Sequence, residues 1–123
     1  MSSKNVLVVH ADSDVSTSIQ TALESDGHRV RLTADGLDGL AAVDQECPGV
    51  VIIDTMLPRL DGVTLMKALR GRTDTEHTPV IIVSGRVDPD AMLSGFAAGA
   101  RYYITLPFQP ADLRAKVRRL LRE

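Results

Sequence analysis

Apolar residues along this chain are concentrated in five short runs. The first four are rich in β-branched residues, and the fifth is also short: Val6–Val9, Val30–Thr33, Val50–Ile53, Val80–Val83 and Tyr102–Thr105. Runs in which every position is apolar are typical of strands buried on both faces of a parallel sheet. We therefore predict five strands, of which the second has the weakest pattern because Arg29 and Arg31 alternate with its apolar positions.

The segments between these runs carry apolar residues at helical spacing. In the first segment they recur at i, i+4, i+7 and i+8 counted from Val15, and Gly27 marks the end of the helix. Shorter segments of the same kind end before Pro48, at Gly71 and at Gly99, and a last one continues to the end of the chain. Each segment predicts an amphipathic helix.

Strand and helix thus alternate five times, which predicts an α/β fold. The expected architecture is a (βα)5 flavodoxin-like, doubly wound parallel sheet with strand order 2-1-3-4-5. The polar residues 71–78 should form one exposed loop before the fourth strand. At 123 residues, against roughly 150 per domain, we predict a single domain over residues 1–123. Its functional crevice should lie at the carboxyl ends of strands 1 and 3.

Composition narrows the classes of function. An apolar share of 44% argues against disorder, and the apolar runs are far too short to cross a bilayer. Residues 1–5 hold no apolar stretch of the length of a secretory signal. Cys47 is the only cysteine, which excludes an internal disulfide and a cysteine metal cluster, and we expect it to be inert. These features favour a cytoplasmic protein with no membrane partner.

Charge and aromatic content argue against nucleic-acid binding by this domain alone. The chain has 14 basic and 16 acidic side chains and a net charge of −2, with only 3% aromatic residues. Proteins that bind nucleic acids favour a basic surface and stacking rings.

Polar side chains follow the predicted strands at the edge where the crevice should lie. His10, Ala11 and Asp12 follow the first strand, Asp54 follows the third and Ser84 the fourth. Because neighbouring strands lie about 4.8 Å apart, residues 10–12 and Asp54 should be close together. A strand-ending carboxylate either caps a turn or, when partly shielded, is positioned for chemistry. The residues alone leave both interpretations of Asp54 open.

Four segments, in order and at matching spacing, resemble the receiver domain of two-component response regulators over essentially the whole chain. They are Val6–Val9 with the acidic loop after it, Asp54–Gly62, Thr78–Gly85 and Gly99–Phe108. The resemblance implies a signalling module with at most self-phosphorylation and self-dephosphorylation, and no other enzymatic activity. It also implies a sensor histidine kinase or phosphotransfer protein, or a downstream effector protein, as partner.

The resemblance assigns roles to individual residues. Asp54 matches the phosphoacceptor, which takes a phosphoryl group from a phosphohistidine, and Ser84 matches the hydroxyl residue that follows that group. Tyr103 is similar to the aromatic residue whose inward or outward rotamer reports phosphorylation. The Met56 backbone carbonyl matches a metal ligand, alongside Asp54. The family usually has a cis bond at the position of Leu106–Pro107.

Two departures from the family pattern concern the charges of the crevice. The family has an acidic pair after the first strand, where this chain has His10 and Ala11, and a lysine where it has Leu106. Transfer of a phosphoryl group to a carboxylate depends on charge neutralisation and positioning. Loss of one charged group that takes part in this neutralisation raises the activation free energy by roughly 3–4 kcal/mol, which lowers the rate about a hundred- to a thousandfold. We therefore expect weak Mg²⁺ binding and weakened or lost phosphorylation of Asp54.

His10 and Asp12 are further candidate metal ligands, each with an alternative interpretation. A neutral His10 could bind Zn²⁺ or another transition ion, and a protonated one could replace the charge of the missing lysine. Alternatively, His10 fills a position that is no longer under catalytic demand. Asp12 could turn towards a metal, or it could cap the first helix.

The last predicted helix is basic. It carries Arg114, Lys116, Arg118, Arg119 and Arg122. Such a stripe is either a solvated face or a partner-binding surface. In the family, the fourth helix, fifth strand and fifth helix form the output and dimer face, which suggests a homodimer as one arrangement.

Three alternative functions stay open at this point. The first is a competent Mg²⁺-dependent phosphoacceptor, which differs only in the strength of the metal site. The second is a haloacid-dehalogenase-like phosphatase, because Asp12–Val15 (Asp-Ser-Asp-Val) is similar to the start of the Asp-x-Asp-x-Thr/Val nucleophile motif. In that family the first Asp ends the strand, whereas here His10 and Ala11 intervene. The third is flavin binding, which requires a Gly/Ser/Thr-rich phosphate loop that the acidic segment after the first strand does not provide.

Overall fold

A computed structural model describes residues 5–122, which form five strands and five helices in strict alternation. The strands are β1 (Asn5–Val9), β2 (Arg29–Thr33), β3 (Val50–Ile53), β4 (Val80–Ser84) and β5 (Tyr102–Thr105). The helices are α1 (Ser13–Glu24), α2 (Gly36–Gln45), α3 (Gly62–Arg70), α4 (Pro89–Ala97) and α5 (Pro110–Arg122). The predicted alternation is confirmed. Of the single domain predicted over 1–123, residues 1–4 and 123 lie outside the described residues.

All neighbouring strands are parallel, and their order is β2-β1-β3-β4-β5. The flavodoxin-like strand order predicted from the sequence is therefore confirmed. Val9 is paired with Ile53, which is paired in turn with Ile82. This register brings His10, Asp54 and the end of β4 to one edge of the sheet. The candidate residues therefore meet in space although up to 74 positions separate them in the sequence (84 − 10 = 74).

The sheet lies between two apolar layers because successive strand residues point to opposite faces. Leu7 and Val9 pack with residues of α2 and α3 on one face. Val6 and Val8 pack with residues of α1 and α5 on the other. β1, β3 and β4 are buried along their whole length, whereas β2, at one edge of the sheet, is largely exposed. Central strands with no polar face give the crevice a rigid base.

Aspartate side chains cap the N-termini of four of the helices. Asp12, Asp35, Asp61 and Asp88 each accept one or two backbone N–H groups at the start of α1, α2, α3 and α4. An N-terminal cap of this kind stabilises a helix by about 1 kcal/mol. None of the helices formed by residues 5–122 has the length and apolar character that crossing a membrane requires.

The loop between α3 and β4 is only partly as predicted. Most of residues 71–78 are exposed, but Thr75 is buried and its hydroxyl donates to the Leu69 carbonyl at 2.7 Å. The Arg70 guanidinium donates to the Thr78 carbonyl at 2.8 Å and to the Gly99 carbonyl at 3.3 Å. The expectation of one exposed loop is wrong at Thr75, because this side chain and Arg70 fasten the loop to the body of the domain.

Candidate phosphoacceptor site

Asp54 lies at the carboxyl end of β3 with its carboxylate partly shielded. Its backbone N–H donates to the Val9 carbonyl at 3.0 Å, and its side chain is 13% exposed. The Met56 N–H donates to Asp54 Oδ1 at 3.2 Å. Gly62, the first residue of α3, approaches this loop so closely that its N–H donates to the Thr55 carbonyl at 3.2 Å. The carboxylate is thus oriented by its own loop.

His10 faces the second oxygen of that carboxylate from the end of β1. The residue is 3% exposed, and its Nε2 lies 3.4 Å from Asp54 Oδ2. This distance exceeds the roughly 2.7–3.2 Å of an N–H···O hydrogen bond, and Nε2 has no hydrogen-bond partner among residues 5–122. The other ring nitrogen, Nδ1, accepts the Asp12 N–H at 3.2 Å. The predicted proximity of His10 and Asp54 is present.

Ser84 and Tyr103 are linked through Arg86. Ser84 is buried at the end of β4, and its Oγ accepts the Arg86 N–H at 3.1 Å. The Tyr103 hydroxyl donates to the Arg86 carbonyl at 2.8 Å. The Arg86 guanidinium in turn pairs with Asp88, which caps α4 and whose pKa is held below its usual range chiefly by this contact. No sequence pattern indicated Arg86, because this residue joins Ser84 to Tyr103 through its backbone N–H and carbonyl, and these groups depend little on residue type.

The Tyr103 ring occupies space that Gly95 leaves open on α4. A Cβ at Gly95 would lie 2.5 Å from Ile82 Cδ1 and 3.3 Å from Tyr103 Cδ2. Phe96 flanks the ring in a tilted arrangement, with 6.3 Å between the ring centroids. Packing and the bond to Arg86 together hold Tyr103 against the loop that follows Ser84.

Leu106 follows β5 and has an apolar side chain at the position of the family's lysine. Its backbone N–H donates to the Ser84 carbonyl at 3.0 Å, and the peptide bond to Pro107 is cis, as the resemblance implied. Its side chain packs with the cluster of α1 and α5, next to Val15 and Phe108. The position therefore brings no cation to Asp54.

The donor set around Asp54 offers Mg²⁺ fewer oxygen ligands than the family pattern. Asp12, a candidate ligand, uses its carboxylate to accept the Asp14 and Val15 N–H groups at the start of α1. Ala11 has no ligand atom in its side chain, which leaves one carboxylate and the exposed Met56 as sources of oxygen. Mg²⁺ requires near-octahedral oxygen coordination. Across residues 5–122 no group of three or more His, Cys, Asp or Glu side chains is arranged to hold a metal ion.

Cys47 lies outside this site. Its thiol is exposed, with Sγ 3.6 Å from an oxygen of Asp74. Partial desolvation, reinforced by the Asp74 carboxylate, raises the pKa of this thiol. Because the thiolate is the reactive form, the raised pKa supports the prediction that Cys47 is inert.

The family model of the response regulator receiver domain matches residues 6–118. The chain belongs to this family. As a receiver domain, it is 41% identical over 118 residues to the transcriptional regulatory protein CseB of Streptomyces coelicolor, covering 96% of this chain and 49% of that protein. It thus spans about half the length of the curated relatives that it matches. Because the chain belongs to this family, Asp12–Val15 is the cap and first turn of α1 in a receiver domain. The phosphatase and flavin-binding alternatives are therefore set aside.

Solved structures give the same result for the fold of the receiver domain. A putative response regulator from Chloroflexus aurantiacus superposes with a TM-score of 0.92 at 32% identity, covering 97% of this chain and 98% of that one. The receiver domain of sensor histidine kinase PA1611 from Pseudomonas aeruginosa superposes with a TM-score of 0.90 at 25% identity, covering 98% and 99%. That structure has a magnesium ion coordinated in its active site cleft.

Proposed function

We propose that this receiver domain acts in phosphorelay signalling through protein–protein contacts, with phosphorylation of Asp54 weakened or lost. We further propose a cytoplasmic location. The proposed partners are a sensor histidine kinase or phosphotransfer protein, or a downstream effector protein. No enzymatic activity is proposed beyond self-phosphorylation and self-dephosphorylation at Asp54.

Among residues 5–122, Asp54 has no ion pair with a lysine or arginine, and this observation carries the proposal. An imidazole lies 3.4 Å from Asp54 Oδ2, and the chain has Ala11 and Leu106 at two positions where the family has charged residues. The family has an acidic residue and a lysine at these positions. A phosphoryl group brings negative charge towards the carboxylate, and catalysis depends on neutralising that charge. Each missing charged group raises the activation free energy of phosphoryl transfer by roughly 3–4 kcal/mol. The loss of both makes efficient transfer unfavourable.

The face made by α4, β5 and α5 has the features of a contact surface. Leu93 is 71% exposed and Phe96 is 46% exposed on α4. On α5, Arg118 pairs with Asp26 at 2.9 Å, and the Lys116 amino group lies 5.4 Å from the centroid of the Tyr102 ring. Exposed apolar side chains beside a basic helix support docking of a partner, and a homodimer through this face is one proposed arrangement.

The test is the intact mass after incubation with acetyl phosphate and Mg²⁺. We compare the wild type with Asp54→Ala and with a restored variant that combines His10→Asp, Ala11→Asp and Leu106→Lys. The restored variant should gain the mass of one phosphoryl group, because it regains both metal-binding carboxylates and the cation. Adding Asp54→Ala to it should abolish this gain, and circular dichroism verifies that each variant is folded.

Little or no gain is expected for the wild type. Stoichiometric labelling of the wild type that disappears in Asp54→Ala would contradict the proposal. It would instead establish the alternative, a competent Mg²⁺-dependent phosphoacceptor.

A further inference from the structure

The His10 ring is held by contacts at both of its nitrogens. Its side chain is 2% exposed, so water reaches it very little. Nδ1 accepts the backbone N–H of Asp12, the residue that caps α1. Nε2 lies 3.4 Å from Asp54 Oδ2.

The contact at Nδ1 determines where the imidazole carries its proton. A nitrogen that accepts a hydrogen bond uses its lone pair and has no hydrogen of its own. The ring is therefore the tautomer with its proton on Nε2, the nitrogen that lies 3.4 Å from Asp54 Oδ2. A doubly protonated ring would direct a second N–H towards the Asp12 N–H, which has no lone pair to accept it.

We infer that His10 is a positioning residue that holds Asp54 in a site built without a divalent cation. The inference rests on the proposed function only in treating Asp54 as the phosphoacceptor position. Met56 N–H donates to one carboxylate oxygen, and the buried His10 Nε2 lies 3.4 Å from the other without a hydrogen bond to it. A cation on that side of the carboxylate would have to displace the imidazole.

The same arrangement disfavours a transition ion at His10, which is one of the interpretations that the sequence left open. Coordination of Zn²⁺ through Nε2 requires a lone pair on that nitrogen, and the proton must then move to Nδ1. There it would oppose the Asp12 N–H. The main-chain amide at the start of α1 therefore favours a protonated Nε2 over a metal ligand at this position.

The direct test is the tautomeric state of His10, measured by ¹⁵N–¹H NMR on protein with labelled histidine. The His10 signals are assigned by their loss in His10→Gln, which separates them from those of His28 and His77. We expect the Nε2–H pattern, and no change on addition of millimolar Mg²⁺ or Zn²⁺. An Nδ1–H pattern, or saturable Zn²⁺ binding at the His10 signals, would overturn the inference.

Two pairs of variants test the roles of the nitrogens separately. The φ of Asp12 is −84°, near the range of proline; Asp12→Pro removes the amide hydrogen and puts the proline Cδ in its place, so His10 Nδ1 loses this hydrogen bond. Asp12→Ala is its matched control, because it loses the same capping carboxylate and keeps the N–H. The Nε2–H pattern should persist in Asp12→Ala and give way to a mixture in Asp12→Pro. An unchanged pattern in Asp12→Pro would refute the role of the amide.

At the carboxylate, the Met56 amide resonance is the readout. It should stay near the wild-type position in His10→Gln, whose amide nitrogen substitutes for Nε2 as a donor, and shift in His10→Leu. Equal shifts in both variants would indicate that His10 only fills space. Efficient labelling by acetyl phosphate would contradict the proposed function but would leave these tautomer results unaffected. The proposed function and the inference about His10 can therefore fail independently.

Discussion

The close approach of α3 to the loop that follows Asp54 predicts that Gly62→Ala strongly lowers the stability of the folded domain. A Cβ at this position would lie 2.3 Å from the Asp54 carbonyl oxygen and 2.8 Å from Thr55 Cα. An ordinary carbon–oxygen contact is roughly 3.3–3.6 Å, so the added methyl group is about 1 Å too close. Both obstructing atoms belong to the backbone, and no change of rotamer can move them.

The free-energy cost follows from three contributions. Overpacking of this kind costs about 1–3 kcal/mol. Displacement of α3 also weakens the hydrogen bond from the Gly62 N–H to the Thr55 carbonyl, worth about 1 kcal/mol. Alanine recovers at most about 1 kcal/mol through its higher helix propensity. We expect a net loss of about 2 kcal/mol, or a fall in Tm of about 8 °C for a domain of this size.

The assay is thermal and urea unfolding followed by far-UV circular dichroism, since the chain has no tryptophan. Two controls separate this clash from a general effect of removing glycine. At Gly71 the nearest atom to an added Cβ is 3.6 Å away, and at Gly85 nothing lies within 4 Å. Neither glycine has a positive φ, so alanine there should be neutral or stabilise by about 0.4–1 kcal/mol. Equal stability of Gly62→Ala and these controls would refute the argument.

Three further predictions concern the α3–β4 region. Thr75→Val should lower the free energy of unfolding by about 1 kcal/mol in urea titrations, because the buried Leu69 carbonyl loses the Thr75 hydroxyl at 2.7 Å and keeps the longer bond from the Arg72 N–H at 3.3 Å. Arg70→Lys should cost about 1–3 kcal/mol in the same assay, because one amino group cannot reproduce the guanidinium contacts to several carbonyls; a cost no larger than that of Lys67→Arg on the same helix would contradict this. The Thr64 N–H holds the pKa of Asp61 below its usual range. The contribution of the ionised Asp61 carboxylate to stability is therefore complete at neutral pH. It is lost as the pH falls from about 4 through the folded-state pKa of Asp61. Asp61→Asn should flatten the dependence of Tm on pH in that interval, and an unchanged slope would count against it.

Local pattern was sufficient for the fold and for the location of the site. Apolar runs of four or five residues, separated by helical periodicity, predict alternating elements because both periods arise from backbone geometry. Right-handed crossovers then leave few arrangements of the sheet, and the observed order is the predicted one. The chemistry of residues 10, 11 and 106 was also visible in the sequence, since a side chain's charge does not depend on the fold.

Hydrogen bonds that depend on backbone conformation and packing could not be predicted in this way. The sequence left His10 as a metal ligand, a cation or a space-filling residue, and the Asp12 N–H on which our inference about His10 rests was not visible as a donor to its ring. Arg86 joins Ser84 to Tyr103 through backbone atoms, for which no residue type is a signal. Thr75 is polar in a polar segment, yet it is buried because Leu69 and the end of α3 lie beneath it. Hydrogen-bond direction and burial are properties of the packed chain: they depend on which atoms come within about 3 Å of one another, and residue order specifies that only through the complete tertiary structure.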